Sequence, residues 1–340
     1  MKQIVVPQPF RVEVREVPIP VPESGEVLLR MRYGGICGSD LGIYRGTMPY
    51  GAYPRVPGHE LAAEVVRAAD GVEGWKPGTL VTVNPYFNCG SCYSCRRGLV
   101  NCCTGNETMG VQRDGGFSEY IAIPAERLYD AQGLDAKTLA MVEPFCISYH
   151  GVRSAGVTPG ERVLVVGAGT IGVLAAVSAK LMGAQVTICD VAPAKLEQAK
   201  VFGVDSTILN DSPAAFADGV SKTAGGDGFD VTVEAVGLPS TFQNCIDAAA
   251  FGGRMVQIGV GSKTLDFAFT TIQKKELRII GSRNAVKRDF EEVIGFISSG
   301  RVKLEHLITE VYPAERAGEA YTRFDKEAGN VLKLLVEFFR

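Results

Sequence analysis

One stretch of the chain restricts the fold more than any other, an apolar run that ends in closely spaced glycines. Val163–Val166 lead directly into Gly167-Ala168-Gly169-Thr170-Ile171-Gly172, and a helical pattern follows to about Met182. In a G-x-G-x-x-G turn, the first glycine permits a tight turn, the second lets the backbone approach a pyrophosphate, and the third lets the helix pack on the strand. The helix N-terminus adds free N–H groups and a positive dipole end. The motif predicts a dinucleotide site formed by Gly167, Gly169, Thr170, Ile171 and Gly172.

The second strand of this region supplies the context that a lone glycine motif lacks. Gln185–Asp190 ends in an acid 18 residues after Gly172, where a carboxylate can bind the ribose hydroxyls of the adenosine half. A carboxylate there would repel a 2′-phosphate, so the pattern favours NAD over NADP. Lys195 either flanks the same ribose or is a surface helix lysine. Val236 and Ile258 are further predicted cofactor contacts.

Strands and helices alternate throughout the middle of the chain. Predicted strands are Arg162–Val166, Gln185–Asp190, Phe229–Glu234 and Arg254–Gly259; predicted helices include Lys195–Phe202 and Ser240–Phe251. Such alternation is typical of a parallel sheet with helices on both faces. The tail from about Arg288 is predicted to be mixed α/β and to end in the apolar strand Val331–Phe338.

The first 150 residues have a different rhythm of short β-type runs separated by glycine and proline turns. Predicted strands are Glu26–Tyr33, Leu61–Arg67 and Leu80–Asn84. This pattern predicts a strongly curved all-β body with inserted loops. The chain of 340 residues is also long enough for two domains. The fold class is therefore α/β plus all-β.

Nine cysteines are present, and five of them lie between positions 89 and 103. Cys89, Cys92, Cys95 and Cys103 give the spacing C-x2-C-x2-C-x7-C, which can wrap one ion tetrahedrally with no open position. Cys102 is adjacent to the fourth ligand, and we choose Cys103. An iron–sulfur cluster is the alternative to a structural zinc. The odd count argues against a disulfide framework.

A second cluster of ligand types is dispersed along the first domain. Cys37-Gly38-Ser39-Asp40, Gly58-His59-Glu60 and Glu143-Pro144 together suggest mixed sulfur, nitrogen and oxygen ligation. Fewer than four strong protein ligands would leave a position open for a substrate oxygen, which is the pattern of a catalytic zinc. A buried apolar thiol and a satisfied loop histidine are the competing interpretations. His150 and His306 keep that plainer interpretation.

Composition excludes several classes of partner. The formal net charge is −3, from 35 basic and 38 acidic residues, which favours neither nucleic acid nor an anionic membrane surface. The N-terminus carries charges inside a strand-like pattern, so it does not resemble a secretory signal. We therefore expect a cytoplasmic protein whose partner is a small molecule.

With these motifs and Asp114-Gly-Gly-Phe-Ser-Glu-Tyr120, the chain resembles the zinc-containing medium-chain dehydrogenases, in their polyol and sugar-acid branch. The resemblance covers essentially the whole length. It implies a GroES-like catalytic domain at 1–150, an inserted Rossmann NAD-binding domain at 151–287, and a return segment at 288–340 that completes the catalytic domain, with the active site in the cleft between them. It also implies a homotetramer, or else a homodimer.

The resemblance assigns roles residue by residue. Cys37 and His59 should bind the catalytic zinc, with Glu60 and Glu143 as its carboxylate ligands. Asp40 should orient His59, and Ser39 should receive the proton of the substrate hydroxyl. Many relatives carry a histidine two residues after the aspartate as a later proton-relay step, whereas this chain has Gly42. Water or a ribose hydroxyl would then carry the proton.

The branch also suggests a substrate. Asp40–Gly46 and Gly281-Ser-Arg283-Asn284 are similar to segments of bacterial hexonate dehydrogenases, which act on L-gulonate or L-galactonate. Predicted substrate contacts are Tyr44, Arg45, Phe117, Arg283 and Asn284. Arg45, Arg55 or Arg283 could hold a carboxylate through paired N–H donors, and a surface ion pair is the alternative for each. Rival functions are a neutral, sorbitol-type polyol dehydrogenase, an L-threonine 3-dehydrogenase, and a non-catalytic nucleotide-binding regulatory protein.

Overall fold

A computed structural model describes residues 1–338. The chain forms two compact units, of which one comprises residues 1–143 and the chain from Ala285 onward, and the other comprises Pro144–Asn284. The divisions fall after Glu143 and after Asn284, earlier than the predicted boundaries at 150 and 287. Helix Val142–Ser154 continues across the first division, so this boundary does not coincide with the end of a helix or strand.

The strands and helices follow in chain order. The strands are β1 (Lys2–Gln8), β2 (Arg11–Glu16), β3 (Glu26–Gly35), β4 (Glu60–Ala68), β5 (Leu80–Val83), β6 (Tyr86–Phe87), β7 (Glu107–Thr108), β8 (Tyr120–Pro124), β9 (Leu128–Asp130), β10 (Arg162–Val166), β11 (Gln185–Asp190), β12 (Ser206–Leu209), β13 (Phe229–Glu234), β14 (Ala249–Gln257), β15 (Arg278–Gly281), β16 (Ile308–Pro313) and β17 (Lys333–Glu337). The helices are α1 (Gly38–Arg45), α2 (Tyr93–Arg96), α3 (Ala136–Leu139), α4 (Val142–Ser154), α5 (Thr170–Leu181), α6 (Pro193–Lys200), α7 (Pro213–Ala224), α8 (Pro239–Ala248), α9 (Thr270–Lys275), α10 (Lys287–Ser298) and α11 (Ala317–Lys326).

The discontinuous unit is built on a seven-stranded sheet. Its order is β16-β17-β3-β4-β5-β9, and β8 also pairs with β3. Strand β17 pairs antiparallel with the end of β3, opposite Tyr33–Gly35, so the tail of the chain is part of the same sheet. Buried side chains from both segments, such as Leu29, Val65 and Leu334, share one hydrophobic core.

The continuous unit is a six-stranded parallel sheet in the order β12-β11-β10-β13-β14-β15. Counted within the unit, this is 3-2-1-4-5-6, the order of a doubly wound dinucleotide-binding fold. Four of the five residues of β10 are buried, as expected for a strand that is covered on both faces. Strands β10, β11 and β13 confirm the predicted bounds.

Some elements differ from the prediction. Helix α8 ends at Ala248, because Ala249 begins β14 and pairs with Phe229; residues 249–251 are therefore strand, and their assignment to a helix was wrong. Helix α7 has no counterpart in the sequence-based assignment, although Ser212 caps its N-terminus, Pro213 is its first residue and Gly225 ends it. Within residues 1–338, no helix is both long and apolar enough to span a bilayer.

Candidate active site

Three residues bring their ligand atoms together in the discontinuous unit. Cys37 immediately precedes α1, His59 immediately precedes β4, and Glu60 is the first residue of β4. One ligand atom from each lies within 4.8 Å of the others. Gly58 allows this approach, since its φ is +100° and a Cβ there would lie 2.1 Å from Phe117 Cδ1.

Asp40 ties the two loops of this cluster together. Its carboxylate is completely buried, and it accepts hydrogen bonds from Cys37 N at 2.9 Å and Gly58 N at 3.3 Å. His59 Nδ1 lies 3.8 Å from Asp40 Oδ1, which is longer than a direct hydrogen bond. Asp40 therefore bonds to the backbone of both loops, and its role as a direct orienting partner of His59 stays a prediction.

Glu60 has a partner that the sequence reasoning missed. Lys333 Nζ donates to both carboxylate oxygens at 2.6 Å, and also to the carbonyl of Ile36 at 3.3 Å. Both side chains of the pair are buried. Gly35 leaves the space that the carboxylate occupies, because a Cβ there would lie 2.0 Å from Glu60 Oε2. The only signal in the sequence was the lysine in the predicted strand Val331–Phe338, whose residues are mostly apolar.

Glu143 is held separately by a tyrosine. It is buried at the start of α4, and its Oε1 accepts a hydrogen bond from the Tyr86 hydroxyl. Burial raises the pKa of this carboxyl group to about 7. Within residues 1–338, Glu143 is not part of the group whose ligand atoms lie within 4.8 Å. The structure thus brings together Cys37, His59 and Glu60, and leaves Glu143 bonded to Tyr86.

The hydroxyl predicted to receive a proton has an unusual environment. Ser39 Oγ is buried and has no hydrogen-bond partner among the described residues. Ser39 is also two residues from Cys37 in the sequence. An unsatisfied buried hydroxyl beside a ligand cluster is suited to bind a polar atom of an incoming molecule.

The other predicted substrate residues of this unit occupy ordinary structural positions. Tyr44 and Phe117 belong to the hydrophobic core, where Phe117 is fully buried. Arg45 donates to the carboxylate of Asp325 at 2.5 Å and to its carbonyl at 3.1 Å. These contacts support packing roles and an ion pair, and substrate contact by all three stays a prediction.

The cysteine lobe brings four thiols together. The Sγ atoms of Cys89, Cys92, Cys95 and Cys103 all lie within 4.8 Å of one another, whereas Cys102 is exposed outside the group. Cys92 Sγ lies 3.9 Å from Cys103 Sγ, close to the ~3.8 Å edge of a tetrahedron with Zn–S bonds of about 2.3 Å. The N–H groups of Cys95 and Thr104 lower the pKa of the Cys92 thiol to about 5. These features fit a structural zinc.

The Cys37 cluster also fits a zinc ion, but of a different kind. It offers one sulfur, one imidazole nitrogen and carboxylate oxygen, all of which are zinc ligands. Cys37 and His59 are the strong donors, and both oxygens of Glu60 are already bonded to Lys333. This donor set leaves an open position, as in catalytic rather than structural zinc sites.

The glycine motif of the parallel unit has the expected close packing. Gly167 has a φ of +103°, and Gly169 is the N-cap of α5. A Cβ on Gly172 would lie 1.7 Å from the carbonyl oxygen of Gly167, so only glycine permits the helix to sit this near the strand. Thr170 and Ile171 open the helix. The turn therefore presents a helix N-terminus to a phosphate.

The acid at the end of β11 supports the same turn. Asp190 accepts hydrogen bonds from Ala168 N at 2.7 Å and Ala192 N at 2.9 Å. Lys195 Nζ lies 3.9 Å from the position of a Cβ on Gly169, so a cation flanks the turn. Carboxylate and ammonium groups thus border the predicted adenosine half of the site.

The remaining predicted contacts of this unit vary in exposure. Val236 is exposed and follows β13, whereas Ile258 is buried and follows β14. Arg283 is exposed just after β15, and Asn284 has a φ of +53°. Both strand ends that bear Val236 and Ile258 lie at the carboxyl edge of the sheet, where doubly wound folds bind their ligands.

A dinucleotide turn and an open zinc ligand set on one chain define a nicotinamide-dependent dehydrogenase that contains zinc. Family models match in two places, the alcohol dehydrogenase GroES-like domain at residues 23–133 and the zinc-binding dehydrogenase domain at residues 170–299. The chain belongs to the zinc-type, medium-chain alcohol dehydrogenases. It is accordingly an NAD-dependent oxidoreductase that acts on CH–OH groups.

Similar proteins include a sugar-acid dehydrogenase and a polyol dehydrogenase. L-galactonate-5-dehydrogenase of Escherichia coli K12 is 36% identical over 95% of both chains. A sorbitol dehydrogenase of Halalkalibacterium halodurans is 31% identical over 95% of this chain and 94% of its own. An alcohol dehydrogenase of Escherichia coli CFT073, whose structure was solved with NADH, superposes with a TM-score of 0.92 at 33% identity and covers 99% of each chain. The GroES-like and Rossmann architecture is confirmed.

Proposed function

We propose that the protein oxidises a secondary hydroxyl of a sugar acid, a hexonate such as L-gulonate or L-galactonate, and transfers a hydride to NAD to give a keto acid. The observation that carries the substrate class is the 36% identity to an L-galactonate-5-dehydrogenase, which spans 95% of both chains. The cluster of half-buried Cys37 with buried His59 and Glu60 supports catalysis, because a protein that only binds nucleotide needs no open zinc site.

Each residue of the cluster has a distinct task in this proposal. Cys37 and His59 would hold the zinc, and Glu60 and Glu143 would supply carboxylate oxygen. When bound, zinc would act as a Lewis acid that lowers the pKa of an alcohol hydroxyl. Ser39 Oγ accepts the hydroxyl proton and passes on its own, since it is buried and has an unused donor and acceptor. Gly42 offers no further side chain for proton relay, so water or a ribose hydroxyl continues the route.

The parallel unit binds the NAD in this proposal. The N-terminus of α5 receives the pyrophosphate, and Asp190 binds the adenosine ribose while repelling a 2′-phosphate. Lys195 lies beside Gly169 and balances the charge of the bound phosphates. Hydride acceptance is the chemistry of the nicotinamide ring, and the protein supplies orientation.

The carboxylate of the substrate requires a cation, and we assign this task to Arg283. Arg283 is exposed at the carboxyl edge of the parallel sheet. An arginine fork can bind a carboxylate through two parallel N–H donors.

A neutral polyol is the second candidate substrate, favoured by the similarity to a sorbitol dehydrogenase at 31% identity. A matched substrate panel separates the two, with hexonates, pentitols, hexitols and threonine offered with NAD and with NADP. We expect hexonates to exceed their matching polyols in kcat/KM. Equal rates on sorbitol would contradict the sugar-acid assignment.

A variant pair tests the carboxylate site. Arg283→Ala should raise KM for the hexonate about 10- to 100-fold, the effect of losing a charge-assisted hydrogen bond. Arg278→Ala removes another exposed arginine, from β15, and is the matched control. An unchanged KM in Arg283→Ala, or an equal rise in both variants, would refute the assignment of Arg283.

A further inference from the structure

A buried acid at the carboxyl edge of the parallel sheet has no role in the scheme above. Glu234 is the last residue of β13 and is completely buried. A carboxylate removed from water is stable only when hydrogen bonds replace its hydration. The contacts of Glu234 therefore show what it holds in place.

Five hydrogen bonds converge on this carboxylate. Oε1 accepts from Val236 N at 2.9 Å, Gly237 N at 2.9 Å and Thr241 Oγ1 at 2.6 Å. Oε2 accepts from Gly237 N at 3.1 Å and Gln257 Nε2 at 2.8 Å. The donors come from the loop after β13, from the first turn of α8 and from the end of β14. One side chain thus joins three segments at the same edge of the sheet.

The network reaches the glycine turn through Val236. Its Cγ2 lies 2.5 Å from the position that a Cβ on Gly167 would occupy, so the valine packs directly against the first glycine of the motif. Ala235 N also donates to Val166 O at 3.0 Å, just before that glycine. The position of the loop after β13 therefore determines whether Val236 lies beside the glycine turn.

The loop after β14 is bonded to the backbone of Glu234, and the last residue of β14 to its side chain. Ile258 N and Gly259 N both donate to the carbonyl of Glu234, at 2.9 and 3.0 Å. A Cβ on Gly259 would lie 2.4 Å from Glu234 Oε2, so only glycine lets this loop lie so near the carboxylate. Val236 and Ile258, two of the predicted cofactor contacts, are thus both bonded to Glu234, Val236 through the carboxylate and Ile258 through the backbone carbonyl.

We propose that Glu234 is a positioning residue for the dinucleotide, which holds the loops after β13 and β14 at the spacing that NAD requires beside Gly167. This inference rests on the proposed NAD-binding role of the parallel unit. The carboxylate does not touch the reacting atoms. It accepts five hydrogen bonds from four donor groups, and a neutral amide in its place would present an NH2 group to some of these donors.

The experiment measures NADH affinity of the full-length, zinc-loaded protein by isothermal titration calorimetry, together with KM for NAD and kcat. Glu234→Gln keeps the size of the side chain and should weaken NADH binding about 10- to 100-fold, the effect of losing hydrogen bonds to a charged group. KM for NAD should rise in proportion, while kcat at saturating NAD stays within about threefold of wild type.

Asp289→Asn is the matched control. Asp289 is another fully buried acid that accepts a backbone N–H, from Val286 at 2.8 Å, but it lies in the other unit. This variant should lower the unfolding midpoint without changing NADH affinity. Equal losses of affinity in both variants would mean general destabilisation and would overturn the inference.

Thr241→Val provides a second test if Glu234→Gln fails to fold. It removes one donor to Glu234 Oε1 and should weaken NADH binding about threefold to tenfold. If wild type binds NADH, unchanged NADH affinity in folded Glu234→Gln would overturn this inference and leave the proposed function standing. If Glu234→Gln fails to fold, unchanged NADH affinity in Thr241→Val would have the same meaning. Absence of NADH binding by wild type would overturn the proposed function itself, and this inference with it.

Discussion

Lys333 Nζ donates to both carboxylate oxygens of Glu60 at 2.6 Å, across 273 residues of sequence. The side chains of the pair are 4% and 1% exposed. Burial is the largest single influence and lowers the pKa of this lysine, but the charges of Glu60, Cys37 and Glu143 and the hydrogen bond to Glu60 together outweigh it and raise the pKa of Lys333. The last strand of the chain is thereby bonded to a predicted zinc ligand near its beginning.

Breaking this pair should strongly destabilise the fold. Lys333→Met should lower the free energy of unfolding by about 3–5 kcal/mol, because it leaves a buried carboxylate without a partner. Urea titration of the purified protein measures the change. Lys180→Met removes a surface ion pair with Asp205 and should cost less than about 1 kcal/mol. Comparable losses of unfolding free energy in the two variants would show that the buried pair stabilises the fold no more than a surface ion pair does.

The cysteine lobe predicts a difference between two adjacent cysteines. Cys103→Ser should abolish zinc binding in the lobe and lower the melting temperature, because a closed site loses one of its four thiolates. Cys102→Ser alters an exposed thiol outside the group and should retain the zinc content of wild type. Elemental analysis of the purified variants measures this directly. Loss of metal in Cys102→Ser, with retention in Cys103→Ser, would reverse the ligand assignment.

Asp190 should determine which nicotinamide cofactor is preferred. In the proposed NAD site, Asp190→Ser removes the carboxylate that would repel a 2′-phosphate and bind the ribose hydroxyls, so the ratio of kcat/KM for NAD to that for NADP should fall about 10- to 100-fold. Steady-state kinetics with both cofactors measure the ratio. Asp205→Ser removes an acid just before β12 that pairs with Lys180, and should leave the ratio unchanged. A constant ratio in Asp190→Ser would contradict the assignment.

The lowered pKa of Glu161 predicts that the stability of the fold depends on pH. Burial opposes its ionisation, but a hydrogen bond from Arg254 at 2.6 Å and one from Thr158 N at 2.8 Å lower its pKa below the ordinary 4.5. A depressed pKa contributes stability that is present above pH 4.5 and lost as the pH falls through the folded-state value. Glu161→Gln should therefore be less stable than wild type at pH 7, by about 1 kcal/mol or less, and this gap should narrow as the pH is lowered below 4.5. Urea unfolding at both pH values tests the trend, and a gap that widens in acid would contradict it.

The parallel strands could be predicted closely because burial on both faces leaves a continuous signal. Arg162–Val166, Gln185–Asp190 and Phe229–Glu234 were predicted with their observed bounds. Strands β12 and β15 lie at the two edges of the sheet and are more exposed, so their residues lack that signal. Short polar edges of a sheet are hard to distinguish from loops by sequence pattern alone.

The zinc ligands could be proposed from motifs, whereas their partners could not. Cys37, His59 and Glu60 lie in recognisable local patterns, and the structure brings their ligand atoms together. Lys333 and Tyr86 bond to Glu60 and Glu143 across 273 and 57 residues. No local spacing relates residues so far apart. Lys333 comes near Glu60 only because β17 pairs with β3, which in turn pairs with β4.

In the function we propose, a zinc held by Cys37 is required for oxidation of a hexonate by NAD. The most direct measurement is the rate of NADH formation from L-galactonate and L-gulonate by wild type and by Cys37→Ser, with NADH affinity determined on the same samples. We predict that Cys37→Ser loses activity and the zinc of the Cys37 site, while it binds NADH with wild-type affinity. Full activity of zinc-depleted Cys37→Ser on either hexonate would contradict the account.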